Sequence, residues 1–279
     1  MARSTARDAI PSARPGRVLI IAGSDCGGGA GVQADIKTVT ALGGYAASAI
    51  TAITVQDTTG VHEILPVPAA TVEAQAMAVL ADIGADAIKT GMLGGRDVVE
   101  AVARVLDGAG RAIPAVIDPV MIAKGGAGLV DPRAVDLITT LLAPRAALIT
   151  PNAPEAEALT GIVVGDLDGA RAAAEVLMRS GARAVLLKGG HIPGATVIDL
   201  LLTPEGETLF EGPRIDTRHT HGTGCTLASA CAAGLARGAP LIVAVAEAWA
   251  YVAEAIRRAP GFGRGHGPLD HAWPVRRDQ

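Results

Sequence analysis

With 279 residues, 49% of them hydrophobic and 19% charged, the chain can bury a full core without disulfides, and the balance excludes a disordered polymer. Lys and Arg total 24 against 28 Asp and Glu, and aromatic residues are only 2%, so the basic surface and stacking rings of an extended nucleic-acid binder are both lacking. Three cysteines, Cys26, Cys225 and Cys231, lack the even count and CxxC spacing of a disulfide framework or a zinc site, which fits a reducing cytoplasm.

Residues 1–16 carry Arg3, Arg7, Arg14 and two prolines but no continuous apolar run, so they read as a disordered extension and not as a secretory leader. From residue 17 to 279 short β-branched runs alternate with longer Ala-rich amphipathic stretches, with no linker between them, as in a single α/β domain. The expected strands are 18–22, 49–54, 87–90, 115–118, 147–150, 184–188 and 197–202. Several are apolar on both faces, so the central sheet is expected to be mostly parallel. Helices are expected at 32–42, 71–83, 96–106, 133–142, 169–180 and 239–258, where apolar residues recur at three and four and Gly or Pro marks the ends. Mean hydropathy is +0.37, yet the apolar runs are far shorter than the ~20 residues of a membrane-spanning helix, so no membrane partner is expected.

In an open α/β sheet ligands bind beyond the carboxyl ends of the strands, and the residues that follow the strands here are chemically distinctive. The first strand runs into Gly23-Ser24-Asp25-Cys26-Gly27-Gly28-Gly29-Ala30-Gly31, where glycine lets backbone approach a ligand closely. This is neither GxxxxGK[ST] nor GxGxxG, which disfavours a P-loop NTPase and a nicotinamide-linked oxidoreductase. Gly222-Thr223-Gly224-Cys225 opens a small-residue helix whose first amides would form an anion hole, and the helix dipole would lower the Cys225 thiol pKa. Cys231, six residues on, reads as a small buried apolar group. His219 and His221 flank the anion hole as loop residues that pack or cap.

Asn152 and Glu155 have the spacing of a helix capping box, although the same oxygens could orient Mg²⁺ through water. Lys188, before Gly189 and Gly190, is a cation beside exposed backbone where phosphate could bind. Each signal has a structural explanation alone. Their coincidence at the strand ends of one domain favours phosphoryl transfer.

The runs AGSDCGGGAGVQADIKT, TAITVQDTTGV, IKTGML, VIDPVM, LITPNAPEA, VLLKGGH, HTHGTGCTLASA and GHGPLDHAW, spread over residues 18–273, closely resemble the hydroxymethylpyrimidine/phosphomethylpyrimidine kinases of thiamine biosynthesis. The resemblance implies a ribokinase-like fold, a central mostly parallel sheet flanked by helices on both faces, usually as a homodimer using ATP and Mg²⁺. It implies phosphorylation of 4-amino-5-hydroxymethyl-2-methylpyrimidine and then of the monophosphate. By position Gln56 would recognise the pyrimidine, with Gly23, Ala30, Thr54, Met92 and Val120 lining its pocket and Asp35 nearby. Lys188 and Asp118 would face the phosphates, and Asn152 with Glu155 would organise Mg²⁺ and its waters. Gly222, Thr223, Gly224 and Cys225 would hold the transferring phosphoryl group through their amides, with Cys225 accepting the hydroxyl proton. A pyridoxal, pyridoxine or pyridoxamine kinase is the nearest alternative, since that substrate has nearly the same shape. A catalytically silent pyrimidine-binding relative is a third reading, opposed by the intact Lys188, Asn152, Glu155 and GTGC.

Overall fold

The computed structural model describes residues 14–121 and 132–276. The expected N-terminal extension thus lies almost wholly outside the described residues, and so does the segment just beyond Met121.

The first element among the described residues is β1 (Arg17–Asp25), whose Leu19 and Ile21 enter one core while Val18, Ile20 and Ala22 enter another. Such a strand is buried on both faces, as its uninterrupted apolar run requires. After α1 (Gly31–Ala41) the long β2 (Tyr45–Asp57) turns back into β3 (Gly60–Pro66). Three further βα units follow: α2 (Ala69–Asp82) leads to β4 (Ala87–Thr90), α3 (Arg96–Asp107) to β5 (Ala115–Ile117), and α4 (Pro132–Leu137) to β6 (Leu148–Ile149). Next come α5 (Ala153–Thr160), α6 (Leu167–Arg179), β7 (Val185–Leu187), the hairpin β8 (Thr196–Thr203) and β9 (Gly206–Pro213), and finally α7 (Thr223–Ala236) and α8 (Leu241–Arg257).

Among the described residues nine strands form one sheet, in the order β3-β2-β1-β4-β5-β6-β7-β8-β9. The six strands from β2 to β7 are mutually parallel, and antiparallel strands flank them at both edges. Helices α2 to α6 cover one face and α1, α7 and α8 the other, each sealing its own apolar cluster. This is the central, mostly parallel sheet flanked by helices on both faces that the resemblance implies. Among the described residues no helix is long and apolar enough to cross a membrane.

Two strands escaped the sequence pattern. β3 and β9 each pair on one side only and contain no buried residue, so neither carries an apolar run or a clean alternation. The helix expected over 133–142 is α-helical only to Leu137, then widens into a π turn at Ile138–Leu142 and tightens at Ala143–Arg145. Pro144, which has no N–H to donate, sits where the regular ladder stops.

Helix α7 fixes the position of the Gly222–Cys225 turn. Its residues from Thr226 to Gly234 are all buried, and a Cβ on Gly234 would lie 2.6 Å from the Cβ of Ala244, so only small side chains let α7 lie against α8. At its start Gly222 adopts φ +81°, and any side chain there would collide with the carbonyl of Gly29. The two glycine-rich loops are thereby locked together.

Candidate active site

A cleft of about 820 Å³ runs along the carboxyl edge of the sheet, and every parallel strand ends on it. The strand order puts the β2, β1 and β4 ends on one side, β5, β6 and β7 in the middle, and the β8–β9 hairpin with α8 on the far side. Gly23, Ala30, Thr54, Gln56, Met92 and Val120 all line this cleft, as do Asp118, Asn152, Glu155, Lys188 and the Gly222–Cys225 turn. Asp35 does not. It lies fully buried, its carboxylate receiving Lys89 Nζ at 2.7 Å and the Ser229 hydroxyl at 2.7 Å. The expected place of Asp35 at the substrate is therefore corrected to one within the core.

The glycine-rich loop is organised by Asp25, a buried carboxylate that accepts the N–H groups of Gly27 (2.8 Å), Gly29 (3.1 Å) and Ala30 (2.8 Å) and contacts His221 Nε2 at 2.9 Å. Burial works against its charge, but the contacts to His221, Ala30 and Gly27 outweigh it and hold the carboxyl below its ordinary value. Gln56 lies beside this pair, its amide 3.2 Å from His221 Nε2 and 3.2 Å from Thr54 Oγ1.

In the middle, Lys188 Nζ lies 3.0 Å from Asp118 Oδ1 and 3.7 Å from Glu155 Oε2. Burial opposes the ammonium, but the two carboxylates prevail and raise its pKa above the ordinary value. A Cβ on Gly224 would be 3.1 Å from Lys188 Nζ and 3.8 Å from Asp118 Oδ2, so the bare start of α7 faces this cluster directly. No side chain caps that helix start, and although the Thr223 N–H reaches the Thr220 carbonyl at 3.3 Å, other first-turn amides are left for a ligand anion. The capping box at α5 is present: Asn152 Oδ1 accepts the Glu155 N–H at 2.9 Å and Glu155 Oε2 accepts the Asn152 N–H at 2.8 Å. Burial nevertheless pushes Glu155 up to about 7, against the pull of Lys188 and with the help of Asp118.

Cys225 stands at the same turn, partly exposed. Burial pushes its thiol up to about 12, and Asp35 and Asp118 add to the effect while Lys89 opposes it. The expectation that the helix dipole would lower this pKa is not met, because loss of water around the sulfur outweighs the dipole. Cys231 is fully buried in the core, as expected.

The far side is an apolar shelf of Trp249, Val252, Ala253 and Ile256 from α8, closed by Pro213 and Ile215. Trp249 packs over Gly212, where a Cβ would come within 2.6 Å of the indole. This shelf and the Lys188 cluster line the same cleft.

The sequence pattern of the family described as phosphomethylpyrimidine kinase matches residues 25–270. The chain belongs to the phosphomethylpyrimidine kinase family. It is 47% identical over 265 residues to the hydroxymethylpyrimidine/phosphomethylpyrimidine kinase of Streptomyces coelicolor, covering 95% of this chain and 97% of that protein. It is 51% identical over 256 residues to the thiamine biosynthesis bifunctional protein ThiED of Geobacter sulfurreducens, covering 92% of this chain but only 52% of that longer protein. Among solved structures, an ADP complex of Bacillus subtilis pyridoxal kinase superposes with a TM-score of 0.87 at 35% identity, covering 93% of this chain and 98% of that one. This chain is thus a small-molecule kinase by family.

Several residues of this phosphomethylpyrimidine kinase site were not singled out from sequence. Asp25 stands two residues before Gly27, the spacing at which an Asp side chain caps its own turn, and that signal was available. Asp199, a buried acid pushed up to about 6 by burial, accepts the Gly189 N–H at 2.7 Å and so holds the turn after Lys188. Its mark in the sequence is an acid inside the apolar run of β8. The α8 shelf follows i, i+3, i+4, i+7 spacing, which in sequence is indistinguishable from a core-facing stripe.

Proposed function

We propose that the protein uses ATP and Mg²⁺ to phosphorylate the hydroxymethyl oxygen of 4-amino-5-hydroxymethyl-2-methylpyrimidine, and then the monophosphate to the diphosphate, in the cytoplasmic synthesis of thiamine. What carries this reading is that a ring-sized pocket with the Gln56 amide, the uncapped start of α7 and the Lys188 ammonium share one cleft. An adenine ring would lie on the Trp249 shelf, the phosphates would run toward Lys188, and the pyrimidine would sit against Gln56.

Gln56 suits an aminopyrimidine edge because its amide offers a donor and an acceptor side by side. The amides of Gly222, Thr223, Gly224 and Cys225 would receive the charge that builds on the phosphoryl oxygens, and fixed donors of this kind supply the largest share of the rate enhancement. Lys188 would neutralise the same oxygens from the opposite side. With burial pushing its thiol up to about 12, Cys225 would contribute its backbone N–H more than a base.

The carboxylates fit magnesium. Asp118 Oδ2 is buried without a hydrogen-bond partner, and no cluster of three or more His, Cys, Asp or Glu side chains suited to a metal occurs among the described residues. Mg²⁺ takes few protein oxygens and keeps its waters and substrate phosphates, so Glu155 and Asp118 would hold it, with Asn152 fixing Glu155. When bound, the ion would draw charge from the phosphate oxygens.

Turnover with the hydroxymethylpyrimidine, its monophosphate and pyridoxal, with products identified by mass spectrometry, tests the reading. Diphosphate made from the monophosphate is the expected result, and activity on pyridoxal alone would overturn it. We further propose a homodimer. Ile53, Val55 and Leu65, exposed by 51%, 51% and 58%, sit together on the β2–β3 hairpin, with Ile53 opposite Leu65, as an apolar face that a second copy would cover. A sedimentation mass of one chain would refute it.

A further inference from the structure

We propose that Asp25 and His221 form a positioning pair that fixes which end of the Gln56 amide faces which wall, and so which way round the substrate ring is seated. Asp25 already accepts three backbone N–H groups, so it is a carboxylate with no proton to give, and its 2.9 Å contact therefore requires that His221 Nε2 carries the hydrogen. Thr54 spends its one hydroxyl proton on the Ser24 carbonyl at 2.8 Å. With the Gln56 nitrogen toward His221 and the oxygen toward Thr54, a donor would face a donor and an acceptor an acceptor, at 3.2 Å in both places. Turning the amide over satisfies both contacts: Oε1 accepts from His221 Nε2–H, shared with Asp25, and Nε2 donates to Thr54 Oγ1. His221 is itself held in place, since its ring fills the space over Gly29 and its N–H bonds to the Gly267 carbonyl.

This polarity has a consequence for the ring, and it rests on the kinase reading above. The amide then offers an acceptor on the His221 side and a donor on the Thr54 side. An aminopyrimidine must put its amino group toward His221 and its ring nitrogen toward Thr54. The hydroxymethyl group is ortho to the amino group, so it is carried to the His221 side, where the next residue is Gly222 and the anion hole begins. A ring with the opposite polarity, in which a carbonyl and a ring N–H replace the amino group and ring nitrogen, is refused.

The test is steady-state kinetics of the full chain on the aminopyrimidine and on that 4-oxo analogue. The wild-type protein should favour the aminopyrimidine in kcat/KM by about 10²-fold or more. In His221→Leu and in Asp25→Asn the amide is free to turn, and the preference should shrink by about tenfold or more. A role limited to holding the loops would lower both substrates together and leave the ratio unchanged, which overturns the proposal, as does a wild-type ratio near one. Wild-type protein inert toward the aminopyrimidine would instead sink the kinase reading, before any variant is made. If the variants do not fold, long-range proton–nitrogen NMR of the wild-type His221 ring decides: a protonated Nε2 is expected, and a bare Nε2 overturns the assignment.

Discussion

Two lysine–aspartate pairs stand near each other in this molecule with the same chemistry and opposite purposes. Lys89 of β4 and Asp35 of α1 are sealed, both side chains at 0% exposure, with Nζ 2.9 and 2.7 Å from the two carboxylate oxygens and Ser229 on the same carboxylate. Lys188 and Asp118, at 11% and 1%, make one contact of 3.0 Å, and although Thr150 shares Asp118 Oδ1, the other carboxylate oxygen is buried with no partner. Burial alone does not distinguish them. The difference is unused bonding capacity: the first pair is closed on itself, and the second keeps an acceptor and a cation turned to the cleft.

The sharpest way to break that comparison is to remove each lysine. Lys89→Met strands Asp35 as an uncompensated buried charge, and the expected loss is about 3–5 kcal/mol of unfolding free energy, read by denaturant melts. Adding Asp35→Leu should recover most of it, since a sealed pair can be replaced by apolar packing. If the single variant melts like the wild type, the pair is not the closed structural unit described here. Lys188→Met should do the reverse. With the kinase reaction as readout, kcat/KM should fall by about 10²–10³-fold, the range seen when a fixed charge-stabilising group is lost, while the melt shifts less than for Lys89→Met. Equal losses of stability in the two variants would erase the distinction.

How much of this was legible in the sequence follows the same division. Residues that line the cleft at the strand ends, Lys188, Asn152, Glu155 and the Gly222–Cys225 turn, stand out because glycine, proline and polar residues interrupt apolar runs there. The parallel strands were legible too, since burial on both faces leaves an uninterrupted apolar word. Asp35 was misread because an acid on an otherwise apolar helix face looks functional until its partner is known, and that partner, Lys89, is 54 residues away. A still larger separation in sequence hides the Asp25–His221 contact, which spans 196 positions. The edge strands β3 and β9 were missed for a different reason: one-sided pairing imposes almost no pattern on residues.

Cys225 lies in reach of both pairs and measures their balance. Lys89 favours its thiolate while Asp35 and Asp118 oppose it, and with burial the larger effect the thiol is pushed up to about 12. A raised thiol pKa means the protonated form holds throughout the working range: the thiolate fraction is lost as pH falls below that value and is negligible near pH 7. A base of this kind cannot supply the rate, so Cys225→Ala should lower kcat by no more than about tenfold, well short of the ~10² or more expected where general-base catalysis is removed. The pH–kcat profiles of the two proteins should then share their shape up to pH ~9, because the group removed does not titrate there. A loss beyond ~10²-fold in Cys225→Ala, with a rate in the wild type that climbs as pH rises, would restore the thiolate as the acceptor of the hydroxyl proton. It would also mean that bound substrate shifts the balance toward Lys89, so that the sealed pair feeds charge into the chemistry.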